Sequence, residues 1–216
     1  SLNPERPVQP ATVQNPDVFF QAREASNPYY DRLPSIVAKC MEKINAATGR
    51  HYALFKYYGA PDADRVIIAM GSVSGPLTEV VDYCNRRGEK TGFLQVCLYR
   101  PFSVEHFIAA LPRSVKRMTV LDRTKESGAV GDPLYEDVCA ALRETDLEAD
   151  VYAGRYGLSS KDVTPAQLKA VFDNMRNDLP KRHFTVGIVD DLTHKSLPVG
   201  EPLDVDEEGV VSCKFW

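Results

Sequence analysis

A three-layer α/β architecture, with a mostly parallel sheet of five strands between helices, is what this sequence predicts. From Arg65 onward, short apolar runs alternate with longer stretches at helical spacing until a fifth run is reached. Several of the runs are continuous rather than alternating, as in strands buried on both faces. Strand–helix alternation of this kind gives a parallel sheet covered on both faces. Right-handed crossovers are expected to set the hand of each unit. A helical extension precedes the sheet.

The elements follow in order. Residues 1–16 carry prolines at 4, 7, 10 and 16 and little apolar content, which reads as an extended linker. Leu33, Ile36, Val37, Cys40, Met41 and Ile44 recur at three and four, painting one helix face, with Asn27-Pro28 as its start and Gly49 as its stop. His51 to Asp64 is an aromatic-rich connection. Val66-Ile67-Ile68-Ala69-Met70 is the first strand, and Pro76 to Arg87 a helix capped by Gly88. Phe93 to Tyr99 is the second strand. Ser103 caps a short helix through Leu111, with Glu105 near its positive end. Lys116 to Leu121 is the third strand, and Asp132-Pro133 opens a helix through Arg143. Asp150 to Ala153 is the fourth strand, Thr164-Pro165 starts a helix to about Asn177, and Phe184 to Ile188 is the fifth. Residues 190–210 read as a polar linker, and Val210 to Trp216 as the first strand of something further.

Composition narrows function. A chain of 216 residues, 44% hydrophobic, can bury one sizeable core. Its net charge of −4 is interspersed, and no basic stripe suits a phosphate backbone, so nucleic-acid binding is not expected. No apolar run approaches the roughly 20 residues that span a bilayer, and the first residues lack the parts of a signal peptide. A cytoplasmic location without membrane attachment is the expectation. Cys40, Cys84, Cys97, Cys139 and Cys213 are scattered without ligand spacing; Cys84, Cys97 and Cys139 read as small buried hydrophobes. No metal or cofactor site is expected within this stretch.

Candidate chemistry is sparse. Gly71-Ser72-Val73-Ser74-Gly75 follows a strand, yet it matches neither a P-loop nor Gly-x-Gly-x-x-Gly. Val73 at the centre excludes a serine-hydrolase elbow. His51, His106, His183 and His194 fall in four different elements and form no ligand pair. Leu121-Asp122-Arg123-Thr124-Lys125-Glu126-Ser127-Gly128 is denser: charged and hydroxylated side chains crowd the end of a parallel strand, where ligands and neighbouring domains dock. Arg100, which ends the second strand, joins Asp122, Arg123, Lys125 and Glu126 as a candidate contact set, since arginine suits bidentate carboxylate or phosphate recognition. The set reads as a solvated turn with internal ion pairs, an interdomain ion-pair network, or a small-anion site. Phe19-Phe20 and Tyr29-Tyr30 read as docking surface or core. No catalytic residue is assigned.

The same octet, with Ser1-Leu2-Asn3-Pro4-Glu5, Tyr57 to Arg65, Leu98-Tyr99-Arg100-Pro101-Phe102 and Ala153 to Leu158 in that order, resembles the middle of the single-chain pyruvate:ferredoxin (flavodoxin) oxidoreductases. The resemblance covers essentially all 216 residues. It implies a transketolase C-terminal-type fold, a five-stranded mixed sheet with one antiparallel strand. It also implies a division into the helical end of a preceding domain (1–50), the transketolase C-terminal-like domain (51–195), and a linker with the first strand of the next domain (196–216). The implied parent is a homodimer that decarboxylates pyruvate on thiamine diphosphate and Mg, passes electrons through 4Fe–4S clusters to ferredoxin or flavodoxin, and uses coenzyme A as co-substrate. Those groups would sit in other domains of the same polypeptide, leaving this stretch structural. Gly75-Pro76 departs from the family's usual Glu-Thr after the Gly-Ser turn, so no role is carried onto that turn. A sulfite reductase with the same module, an independent small-anion or nucleotide-binding domain, and a docking subunit of a multi-chain oxidoreductase stay open.

Overall fold

A computed structural model describes residues 3–6, 13–205, 211 and 213. Two helices lead in, α1 (Pro16–Glu24) and α2 (Asn27–Thr48). The sheet contains β1 (Phe55–Gly59), β2 (Arg65–Met70), β3 (Thr91–Val96), β4 (Arg117–Asp122), β5 (Asp150–Arg155) and β6 (His183–Thr185). Their order is β1-β3-β2-β4-β5-β6, with β1 antiparallel to β3 and every other pairing parallel. The five expected runs are β2 to β6, with their ends displaced by up to three residues. The sixth strand, β1, lies inside the stretch read as a connection.

β1 escaped because it is an edge. Only Phe55 is buried, and Lys56, Tyr58 and Gly59 face solvent, so no continuous apolar run marks it. It sits close on β3: Tyr57 packs over Gly92, where a Cβ would collide with the tyrosine ring, and its hydroxyl donates to the Ala60 carbonyl at 2.5 Å.

Helices α3 (Ser74–Arg86), α4 (Val104–Ala110), α5 (Pro133–Arg143) and α6 (Pro165–Arg176) cover the two faces. Strand residues alternate between two cores. Ile67, Ala69, Phe93, Leu121 and Phe184 pack with Leu77, Val80 and Val81 of α3 and Leu168, Val171 and Phe172 of α6. Val66, Ile68, Leu94, Met118 and Val120 pack with Phe107 of α4 and Leu134 and Val138 of α5.

That distribution corrects the expectation of one hand throughout. α3 carries the chain from β2 outward to β3 on one face; α4 and α5 carry it the opposite way on the other face, so these three crossovers share a hand. α6 moves the chain in the same direction as α5 but over α3's face. Its hand is therefore opposite. The exception fits the packing: α6 covers β2 and β4 beside α3, and the strand it delivers has only three residues.

Local signals account for the helix ends. Gly49 closes α2 at φ 70°, and Thr164 and Gln167 form a reciprocal capping box on α6. α1 is a separate helix inside the region read as linker and first helix, capped by the Asn15 side chain on Val18 N–H at 2.9 Å. α3 starts at Ser74, directly after a 3-10 turn at Gly71–Val73, so Pro76 stands in its first turn, where its missing N–H costs nothing.

Two further readings change. Cys97 is exposed, because β3 stops at Val96 and the chain bends away there; Cys84 is buried, Cys139 half-buried, and Cys40 and Cys213 exposed. Part of the polar stretch after residue 190 is tied down: Leu197 is buried, its N–H donates to the Thr185 carbonyl at 2.9 Å, and Lys181 Nζ donates to the His194 and Ser196 carbonyls. The strand read over Val210 to Trp216 lies outside the described residues except for Val211 and Cys213, both exposed. Prolines 7 and 10 of the leading linker also lie outside them. Among the described residues no helix is long and apolar enough to cross a membrane.

Candidate functional site

Five parallel strands end at one edge, at Met70, Val96, Asp122, Arg155 and Thr185. β2 and β4 are neighbours whose following helices cover opposite faces, which opens a crevice between their carboxyl ends. All five candidate contact residues follow or end strands at this edge.

Asp122 is the last residue of β4 and only 3% exposed. Its two oxygens each accept a backbone N–H from the first turn of α5, from Leu134 and Tyr135, both at 3.1 Å. The carboxyl thus caps α5 from across the loop. Burial raises its pKa above the ordinary aspartate value, opposed by the two backbone N–H groups. Asp132 holds the N-cap position itself, yet its side chain turns away from the helix. One oxygen accepts the Glu126 N–H at 2.8 Å, and the other pairs with Arg155 at 2.8 and 2.9 Å.

Two buried aspartates therefore pin the ends of a loop whose middle, residues 123–130, is entirely exposed. Arg123 reaches across to β5, its Nε donating to the Gly157 carbonyl at 2.8 Å. Among the described residues, the side chains of Lys125 and Glu126 make no hydrogen bond or ion pair. Val130 at the tip is 85% exposed.

Arg100 belongs to a different cluster. Its guanidinium lies 4.0 Å over the Tyr99 ring and pairs with Asp137 of α5 at 2.7 Å. Burial first, then the Asp137 carboxylate, pushes the Tyr99 hydroxyl up to about 12. The two arginines thus share no partner, and neither meets Asp122 or Glu126 as the strand ends had suggested. Sequence reasoning missed Asp132, Asp137 and Arg155. Asp132-Pro133 registered only as a helix start, and β5 was ended before Arg155 was reached.

A cavity of about 160 Å³ opens between Ser72, Val73, Arg123, Tyr156 and Lys161, on the α3 side of the crevice. Histidines do not contribute to it. His106 shares a 2.8 Å hydrogen bond with Ser103, and His183 stands edge-on to Tyr135. No group of three or more His, Cys, Asp or Glu among the described residues could hold a metal.

This geometry is that of an α/β domain whose strand-end loop is rigidly mounted and exposed. Residues 63–168 match the family model described as pyruvate:ferredoxin oxidoreductase core domain II. The chain carries that core domain. Over its whole length it is 55% identical to the pyruvate:ferredoxin oxidoreductase of Moorella thermoacetica, and 51% and 52% identical to the pyruvate-flavodoxin oxidoreductases of Enterobacter agglomerans and Klebsiella pneumoniae. It spans 18% of the length of each. A 2-oxoglutarate:ferredoxin oxidoreductase chain from Magnetococcus marinus aligns with 61% of this chain and 20% of its own at 17% identity and a TM-score of 0.41, too slight a likeness to argue from.

Proposed function

We propose that this chain is an internal, structural domain of a pyruvate:ferredoxin (flavodoxin) oxidoreductase, divided at about residues 50 and 195 as the family resemblance implies. The full-length enzyme would be a homodimer in the cytoplasm that oxidises pyruvate to acetyl-CoA and hands electrons to ferredoxin or flavodoxin. Thiamine diphosphate, Mg and the 4Fe–4S clusters would be held by other domains, with coenzyme A as co-substrate; that chemistry belongs to those groups. This domain's part is to present Arg123, Lys125 and Glu126, and Arg100 from its separate cluster, to the domains around the active site.

One observation carries the reading. The loop after β4 is anchored by two buried aspartates, yet it exposes three charged side chains and Val130 with almost no internal partner. Rigid mounting of an unpaired charged loop is what a docking element needs. The test is turnover of the full-length protein, followed as pyruvate- and coenzyme A-dependent reduction of a viologen dye. Arg123→Ala should lower it while leaving the melting temperature of the 216-residue chain within about 3 °C, since its one bond, to the Gly157 carbonyl, is made by an exposed side chain and is worth about 1 kcal/mol. Dye reduction by the 216-residue chain alone would refute the reading.

A second reading, small-anion binding, draws on the cavity that Arg123 and Lys161 line. Amide shifts at Ser72, Val73 and Lys161 on titration with inorganic phosphate would support it.

A further inference from the structure

Arginines open two neighbouring strands at the edge opposite the crevice. β2 begins at Arg65 and β4 at Arg117, and the two are register partners. Like charges set directly opposite one another destabilise a sheet. Both side chains point to the α6 face, because the next residues along, Val66 and Met118, pack on the α4–α5 side.

The two are satisfied unequally. Arg65 is 8% exposed and held by carboxylates, with Nε 3.1 Å from Asp64 and Nη1 3.0 Å from Glu89. Arg117 has no carboxylate within ion-pair distance among the described residues. Its Nη1 donates to the Met175 and Asn177 carbonyls at the end of α6, which leaves Nε and Nη2 without an acceptor there. Asp150, its register partner on β5, receives the Tyr152 hydroxyl instead, at 3.5 Å. The Lys116 side chain makes no hydrogen bond or ion pair among the described residues, and Arg176 comes only within 3.8 Å of Glu89, which already serves Arg65 and Lys169.

These side chains surround a cleft of about 360 Å³, lined by Asp64, Arg65, Lys116, Arg117, Met175 and Arg176. Small-molecule sites run from about 300 to 1,000 Å³, so the cleft stands at the lower end. Four of the six lining residues are cationic and one is a carboxylate, in a chain whose net charge is −4. A guanidinium fork fits two oxygens of a phosphate, and an ammonium adds a point charge. No aromatic ring lines the cleft, so it has nothing on which a base could stack, and the acidic net charge disfavours a long polyanion.

We propose that this cleft binds a phosphate dianion, either the free ion or the head of a small phosphate monoester, through Arg117, Lys116 and Arg176, with Arg65 fixed behind them by Asp64 and Glu89. The ligand then meets the charge on Arg117 and Lys116 that no carboxylate of the chain meets. The site is separate from the cavity beside Arg123, which lies at the carboxyl ends of the strands.

Titration of the 216-residue chain with inorganic phosphate at constant ionic strength, read from amide shifts, tests it. Saturable shifts should appear at Arg65, Lys116, Arg117 and Arg176, with Ser72, Val73 and Lys161 unmoved. Lys116 and Arg176 are exposed, so the double variant Lys116→Ala with Arg176→Ala should keep the fold and weaken phosphate binding about ten-fold. Arg117→Lys keeps the charge, loses the fork, and should weaken binding about five-fold or more. Glycerol 3-phosphate separates the two sources: binding tighter than that of inorganic phosphate supports the site with a monoester as its ligand, and equal or weaker binding supports it with the free ion. Shifts that never saturate, shifts confined to Ser72, Val73 and Lys161, or unchanged affinity in the double variant would overturn the proposal. The readout is binding and not turnover, so its failure is distinct from failure of the assigned activity.

Discussion

Replacing Asp122 by alanine removes the cap that α5 receives from β4. Two backbone donors, Leu134 and Tyr135 N–H, lose their acceptor; Leu134 is fully buried, and water does not readily replace the lost bond there. Losing an N-cap costs about 0.5–2 kcal/mol, and a buried donor left unpaired about 1–3 kcal/mol. Relief of the buried charge offsets part of this, because desolvation is the largest influence on the Asp122 carboxyl. The net should be about 2–3 kcal/mol, a fall in melting temperature of about 5–10 °C for a domain of this size. Asp122→Asn keeps one acceptor and should lose about half as much. The pH dependence has a defined sign. A carboxyl whose folded-state pKa is raised contributes stability that is present below the ordinary aspartate value and is lost as pH rises through the raised one. The gap between wild type and Asp122→Asn should therefore narrow with rising pH across that window. Urea unfolding of both variants at several pH values measures it. A loss below about 0.5 kcal/mol for alanine would refute the capping argument, and a gap that widens with pH would refute the dominance of burial over the two N–H groups at the Asp122 carboxyl.

Three further substitutions probe the same frame. Arg155→Ala strips the partner from Asp132, which is 3% exposed; because the arginine itself is partly exposed, about 2–3 kcal/mol should be lost, with faster amide exchange at Glu126, by urea unfolding and exchange measurements. Gly59→Ala should cost about 3 kcal/mol or more and loosen β1, since φ is +132° there and a Cβ would lie 2.5 Å from the Thr91 carbonyl oxygen and 2.6 Å from Gly92 Cα; amide exchange along β1 reports it. Arg65→Ala should cost about 1–2 kcal/mol in thermal unfolding, because Glu89, 13% exposed at its side chain, loses its 3.0 Å pair but keeps Lys169 and Arg176 at 3.4 and 3.8 Å.

Sequence by itself determined the layered α/β class, five of the six strands, and the helices from α2 to α6. Buried parallel strands read as apolar runs, and helix ends fall at Asn-Pro, Ser103, Asp-Pro, Thr-Pro and Gly, although of these N-terminal residues only Thr164 caps its own helix through its side chain. It also singled out the loop after β4, because charge crowded at the end of a parallel strand is conspicuous in one dimension. Tertiary structure alone decided the rest. β1 carries no apolar run, since an edge strand buries one side chain in five, and only its pairing with β3 reveals it. The apolar stripe of α2 could not announce that half of it faces outward, because helical spacing records which residues share a side and not whether anything covers that side. The roles of the aspartates were equally hidden: Asp132 holds the N-cap position while Asp122, ten residues earlier, does the capping. That exchange exists only because β4 ends beneath the first turn of α5, which brings a strand carboxylate within 3.1 Å of the helix N–H groups and leaves Asp132 to Glu126 and Arg155.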